Sequence, residues 1–488
     1  MSAILPKDGK KMLLVLLLDL VITFGIGSLP GPGEITPIGM QYLGILFGCI
    51  ICWLFGYLGW GSVIALLLMA CWVPGNTLNG VISGAYGHQT LLMIVFCFVF
   101  CHGLQKLGLL PFLANSLLST KFATKSPWHL AVIFWLAGII CAGLTVPIAT
   151  LVFLYSLWYK VADQVGIQRK STYCAVVMIF LGTLVAISLV LMPYSAGLWM
   201  TKGFIDAVAP GLEMNLLKVL IPGWILIFGT FAVLAVLLKV LMKTGVVKTE
   251  FSMADTAAIV NKDDLRMTTS IKIAFGYIVL LLAMMILPSV LPTTIPVIAL
   301  LKNLGTTGCF MVICVLMCFT PVEGEYLFTF EDGMKNGLSW GVYFMLATAY
   351  LLSGLVVAQN TGVTATILPV VQSILPADNP WIIMAAFMLV GLIMTNCITN
   401  FVCMQMLIPL GAMVLIPTGV NPMIFAAVMQ AVLDHGNMMP SGSPMGALMH
   451  GSSEWISSGQ VYLWAFVGSI AVYLVSMGLA TPLALLLG

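Results

Sequence analysis

Apolar runs near the length of a membrane span recur from one end of this sequence to the other, and that recurrence leaves few folds open. A hydrocarbon core about 30 Å thick needs roughly 20 apolar residues per helical span. Runs near that length lie at 12–28, 37–57, 60–75, 88–106, 173–193, 219–242, 271–289, 295–319, 337–357, 421–440 and 460–486. Eleven spans make an all-α polytopic membrane protein. The composition agrees, since only 7% of the 488 residues are charged and mean hydropathy is +1.11. Asp19 interrupts the first run and no clean cleavage site follows it, so an uncleaved first span is expected.

Charge placement orients the chain. Every Lys and Arg lies at or before Lys335. Basic residues cluster before the first span, at Lys121 and Lys125, at Lys160, Arg169 and Lys170, and from Lys239 to Lys272. The positive-inside bias makes those segments cytoplasmic, with the amino terminus inside and, after eleven spans, the carboxyl terminus outside. A net charge of +2 gives no reason to expect a nucleic-acid partner; the bilayer is the partner that composition demands. The twelve cysteines sit mostly inside apolar runs without metal-ligand spacing and read as packing residues.

The most informative pattern is internal. The segment "PWHLAVIFWLAGIICAGLTVPIATLVFLYSLWYKVADQVG" from Pro127 aligns without gaps on "PWIIMAAFMLVGLIMTNCITNFVCMQMLIPLGAMVLIPTG" from Pro380. Pro127, Trp128, Phe134, Gly138 and Gly166 meet Pro380, Trp381, Phe387, Gly391 and Gly419. Each copy reads as two short apolar arms, of about 13 to 17 residues, around a break, too short to cross the core. That pattern predicts re-entrant helical hairpins at 127–166 and 380–419, tolerated only where their tips are buried or line a wet cavity. Basic flanks put the first mouth in the cytoplasm, whereas the second has Asp378 and no base and would open outward. Opposed hairpins mark an inverted repeat with its site near the midplane.

The expected organisation is scaffold helices over 1–78, a first core over 79–210, scaffold helices over 211–320 with the cytoplasmic loop 243–272, a second core over 321–459, and a final helix over 460–488. At the second tip, "MTNCITNFVCMQMLIPL" from Met394 concentrates Thr and Asn where helix ends leave unpaired amides and carbonyls. Their oxygens suit an alkali cation, and their donors suit a carboxylate. In the first tip the positions matching Thr395, Thr399 and Asn400 are Ala142, Val146 and Pro147, with Thr145 one step away. "MPYSAG", Met192 to Gly197, could place Tyr194 and Ser195 as replacements.

These segments resemble the divalent anion/sodium symporter family, carriers of dicarboxylates and related anions within the wider ion transporter superfamily. "FEDGMKNGLSWGVYFMLATAYLLSGLVVAQNTGV" from Phe330 and "CFVFCHGLQKLGLLPFLA" from Cys97 look like the segments that precede the family's two hairpins. "TNFVCMQMLIP" places Thr399, Asn400 and Phe401 on the tip motif with Pro409 in register, the third position departing. "MMPSGSPMGA" from Met438 resembles the family's unwound Thr-Pro step, with Ser443 and Pro444 on it and Gly446 where Asn is usual. The resemblance implies a homodimer and sodium-coupled carriage of a small organic anion, a di- or monocarboxylate, by alternating access across the cell membrane. It implies a sodium site from Thr395, the carbonyl of Ile398, Asn400 and a carbonyl near Gly442. It implies anion contacts from Thr399, Asn400, Ser443 and Pro444; where the first half departs from the family, Thr145 and Ser195 are the expected replacement contacts. No further cofactor is expected.

Asp434 and His435 form an ionisable pair inside an apolar helix, and an intramembrane acid suggests function, here a proton relay. A proton-coupled carrier or an anion exchanger built on that pair is the alternative. Asp19 reads as an interhelical contact, and the acids of "PVEGEYLFTFEDG" as a solvated loop. His88, His102, His129 and His450 read as solvated span ends. No phosphate-cradling Gly-rich loop occurs, so direct ATP drive is not expected. An enzyme is not expected either: Asp434 and His435 are adjacent on one helix and point about 100° apart, so they build no relay with Ser441.

Overall fold

The computed structural model describes residues 7–212, 214–249, 265–322, 324–375 and 379–487. Asp378 and residues 250–264 of the central loop lie outside them. The described chain is helical except for loops and a two-residue strand pair, Pro321–Val322 with Glu325–Tyr326.

Apart from one extra span at the start of the first, the two halves run through the same order of elements. The first has spans Lys7–Gly27, Pro37–Leu54 and Leu58–Trp72, a short helix Leu78–Tyr86, the span Gln89–Lys106 and a short helix Leu109–Leu118. A helical hairpin follows, Pro127–Leu144 and Pro147–Val165, then a broken helix, Thr172–Ile187 and Ala196–Val208, and the span Leu216–Lys243. The second half has Thr269–Val290, Pro296–Cys318, a short helical segment over 330–337, Trp340–Val356 and Val363–Ile374. Its hairpin is Pro380–Cys397 and Asn400–Leu415, its broken helix Pro422–Asp434 and Pro444–Gly451, and its last span runs from Ser458 to Leu487.

With each broken helix counted as one span and each hairpin as none, eleven spans result. Five of them separate the two hairpins, an odd number, so the hairpins enter from opposite faces. Their tips nevertheless line one cavity, which puts both ends in the interior. The arms are 18, 19, 18 and 16 residues long, so three of the four exceed the expected 13 to 17. At 1.5 Å per residue, 18 residues reach about 27 Å, so re-entrance is decided by where the tips end rather than by arm length.

Local chemistry repeats with the topology. Ser126 and Asn379 cap the two hairpins through side-chain oxygens that accept from the third amide onward, and Pro127 and Pro380 follow at the first helical position. Trp128 donates to Ala235 O at 2.8 Å and Trp381 to Met477 O at 3.1 Å, each tying a hairpin to the last span of its half. Gly138 is closed in by Leu181, Val185 and Leu154; Gly391 by Met429, Leu433 and Leu407. Leu154 and Leu407 keep the 253-residue offset, while the broken-helix partners share an offset of 248 (429 minus 181, 433 minus 185). The same tight crossing of hairpin and broken helix is therefore built twice.

Asp19 is buried and accepts from Thr23 of its own helix at 3.2 Å and from Cys52 of the next span at 3.4 Å, an interhelical contact. The segment 321–333 is not simply a solvated loop. Asp332 pairs with Lys106 at 2.7 Å and lies 3.6 Å from His102, clasping the short helix to a span end. The histidines are likewise more engaged than solvation implies, with His129 bonded to Ser126 at 2.7 Å and His450 to Met438 O at 3.0 Å.

Candidate functional site

The tips break for different local reasons. At the first, Pro147 lacks an amide and forces Val146 to be extended (φ −104°, ψ 125°). At the second there is no proline at the turn, and Ile398 and Thr399 are extended because the tip is stitched to the break in the second broken helix. Asn400 N donates to Gly442 O at 3.2 Å, Met438 N to Asn396 Oδ1 at 2.9 Å, and Ser441 Oγ to Cys397 O at 3.2 Å. Thr395 Oγ1 donates to Leu433 O.

Thr395, Asn396 and Asn400 thus each help fasten the tip to the break. Thr399 is different, because its buried hydroxyl has no partner.

Backbone oxygens crowd the break. A Cβ on Gly442 would lie 2.6 Å from Gly436 O and 2.7 Å from Thr395 O, and one on Gly446 2.6 Å from Met439 O and 3.3 Å from both Asn437 O and Gly436 O. Only glycine permits this approach, and the result is a cluster of carbonyls beside the second tip.

A cavity of about 270 Å³ lies where both tips meet both breaks. Of the expected residues, Thr145, Ser195, Asn400, Pro444 and Asp434 line it, whereas Thr395, Ile398, Thr399, His435, Gly442 and Ser443 do not. Ser443 instead caps its helix, accepting from Gly446 N at 3.0 Å and donating to Asn437 at 2.9 Å.

The cavity-lining hydroxyls of the first half are bonded within that half. Thr145 donates to Cys141 O at 2.7 Å and lies 3.0 Å from Thr150, and Ser195 accepts from Met192 N at 3.2 Å. Tyr194 is fully buried outside the cavity lining with its hydroxyl unpartnered.

Asp434 faces the cavity and bridges tip and helix. Gln430 donates to one carboxylate oxygen at 2.7 Å and Asn400 to the other at 3.3 Å, while Thr201 of the first broken helix donates to Gln430 at 3.3 Å. Among the described residues no base pairs with Asp434, and no Lys or Arg lines the cavity.

The expected Asp434 and His435 pair is not assembled. His435 is fully buried and turned toward Asn437, 3.4 Å away, and toward Gly468, because consecutive residues at a helix end diverge. Gln430 and Thr201 were not singled out from sequence, although Gln430 stands four residues before Asp434 and so shares its helix face. Among the described residues no group of His, Cys, Asp and Glu could hold a metal ion.

No family model matches the chain, and no curated protein matches it. Among solved structures, the YdaH transporter of Alcanivorax borkumensis superposes over 98% of both chains with a TM-score of 0.50 at 12% identity. At that identity the likeness establishes a shared fold.

Proposed function

We propose that this protein is a secondary transporter that carries a small organic anion through the membrane by alternating access, driven by a coupled cation. The observation that carries the reading is the cavity bounded by two opposed tips and two helix breaks, the arrangement in which a midplane site can be exposed to either face in turn. The shared fold with a transporter supports it.

Asp434 supplies the coupling logic. A carboxylate without a basic partner repels an anion until a cation or proton joins it. The carbonyl cluster of Thr395, Gly436 and Met439, with Asn400 beside it, offers oxygen ligands to sodium, and Asn400 and the start of the helix at Pro444 face the anion. Sodium is the first reading. The second, a proton on Asp434 itself, is favoured because no base among the described residues pairs with it, and does not need His435.

The substrate we favour has one carboxylate and an apolar body. Asn400, Gln430 and Asp434 line the cavity from the second half, whereas Val146, Pro147 and Ile148 of the first tip bring apolar side chains and Thr145 and Ser195 are hydrogen-bonded within their own half.

The test is thermal stabilisation of the detergent-purified protein by mono-, di- and tricarboxylates, each with sodium or choline and at two pH values. A ligand that binds only the folded state raises apparent stability, by about 2.7 kcal/mol at 100 times Kd. Stabilisation by a monocarboxylate that needs sodium and is lost in Asn400→Ala supports the sodium-coupled carrier. Dependence on pH but not on sodium transfers the coupling to Asp434, and no stabilisation by any anion refutes the anion assignment.

A further inference from the structure

Among the described residues no Lys or Arg lines the central cavity, so any positive side chain that attracts an anion before the coupled cation binds lies elsewhere on its route. A second and larger cavity, about 770 Å³, opens between the start of the span Gln89–Lys106, the helix Ala196–Val208 and the spans Thr269–Val290 and Pro296–Cys318. The helix Ala196–Val208 is shared by the two cavities, Trp199 lining the outer one and Met200 the central one. Both residues are pinned. Trp199 donates to Pro193 O at 2.9 Å, and Tyr350 to Met200 O at 3.1 Å.

The outer cavity has the charge that the inner one lacks. Lys202 and the exposed Lys302 line it against one described acid, Asp206. Asp206 is already satisfied, taking Lys202 Nζ at 2.6 and 2.7 Å and Thr90 Oγ1 at 3.4 Å. An ammonium has three donors, so Lys202 keeps one for a further acceptor, and Lys302, which enters none of the described ion pairs, adds a second positive charge. Met93, Met284 and Met285 supply an apolar, adaptable wall.

The helix opposite is opened at this point. Gly305 adopts φ 61°, ψ 179°, which only glycine tolerates readily, and Thr306 and Thr307 follow on the cavity lining.

We propose that this vestibule is a second, outer binding site for a monocarboxylate, with Lys202 and Lys302 holding the carboxylate and the methionine wall the organic body, from which the substrate passes Trp199 and Met200 to the central cavity. The proposal rests on the organic-anion reading above. It assigns charge selection to the vestibule and cation coupling to the Asp434 end.

The experiment is equilibrium dialysis of radiolabelled benzoate against the purified full chain, with benzamide as the uncharged control. The variants are Lys302→Gln, the charge-neutral pair Lys202→Gln with Asp206→Asn, and Asn400→Ala for the central site. The expected result is two benzoate sites per chain. Each lysine variant weakens one of them about tenfold, as loss of a charge-assisted hydrogen bond does, and spares the other. Asn400→Ala does the reverse, and benzamide fails to fill the outer site. The surviving site in each variant doubles as the check that it has folded. One benzoate site, lost in Asn400→Ala and untouched in both lysine variants, overturns the vestibule and leaves the central reading standing. A wild-type chain that binds no benzoate overturns both.

Discussion

Gly442→Ala is the substitution that most directly probes the carbonyl cluster. A methyl there would sit 2.6 Å from Gly436 O and 2.7 Å from Thr395 O, and both are backbone atoms that no rotamer change can move. Ordinary C···O contact is about 3.3 Å or more, so the break and the hairpin tip must separate by some tenths of an ångström each. Overpacking of this kind costs about 1–3 kcal/mol. The same displacement lengthens the bond from Asn400 N to Gly442 O, now 3.2 Å, which helps hold the tip against the break.

The assay is thermal unfolding in detergent with sodium chloride or choline chloride, beside Gly276→Ala as a control. Gly276 lies inside the helix Thr269–Val290 with nothing within 4 Å of an added methyl, so alanine there stabilises by about 0.5–1 kcal/mol. The same chemical change should therefore move the two variants in opposite directions, and Gly442→Ala should also abolish any stabilisation by sodium. A Gly442→Ala protein as stable as the Gly276→Ala control, with the sodium effect intact, would refute the crowded break and the cation site together.

Two further outcomes follow from the same contacts. Asp434→Asn leaves one oxygen where Asn400 and Gln430 now donate to two, so it should cost about 1–3 kcal/mol. In proteoliposomes it should keep substrate exchange while losing cation-driven net uptake; driven uptake at the wild-type rate would remove Asp434 from coupling. Trp128→Phe and Trp381→Phe each delete one indole donor to a scaffold carbonyl and should each cost about 0.5–1.5 kcal/mol in chemical denaturation, the two values agreeing because the contact is repeated.

Much of this architecture is written in single residues. The Pro-Trp pairs at 127 and 380, and the glycines at 138 and 391, are legible because capping, the indole anchor and the tight crossing each demand a particular residue type at a fixed place. The spans are legible because apolar length is nearly their whole requirement. The role of the Thr and Asn cluster at the second tip is not. Thr395 bonds Leu433 across 38 residues and Asn437 donates to Gly182 across 255, and no local pattern encodes such partners. Asp434 and His435 read as a pair because they are neighbours in sequence, but a helix end turns them apart, and the acid's true partners are Gln430, one turn back, and Asn400, on another element. Lys202 and Asp206 stood at helical spacing in plain view, yet only the fold shows that they face a cavity.

The repeat is symmetric in packing and asymmetric in chemistry, and that contrast can be separated by experiment. Gly138→Ala and Gly391→Ala insert the same methyl at the same crossing. At Gly138 it meets Leu181, with Val185 at 3.1 Å; at Gly391 it meets Met429, with Leu433 at 2.9 Å. Every one of those atoms is a side-chain end that can yield, so both variants should lose a similar amount, about 1–3 kcal/mol. Their functional consequences should differ. Leu433 is the residue whose carbonyl takes the Thr395 hydroxyl, and Asp434 follows it, so a push at Gly391 is transmitted to the carbonyl cluster and the coupling carboxylate. A push at Gly138 reaches Leu181 and Val185, beside the apolar positions Ala186 and Ile187, and among the described hydrogen bonds meets the second break only through Gly182 O, which accepts from Asn437 at 3.3 Å. Sodium or pH dependence of transport should therefore shift in Gly391→Ala and hold in Gly138→Ala, with both variants equally destabilised. Equal shifts in the two variants would mean that the first hairpin shares in coupling despite its apolar tip.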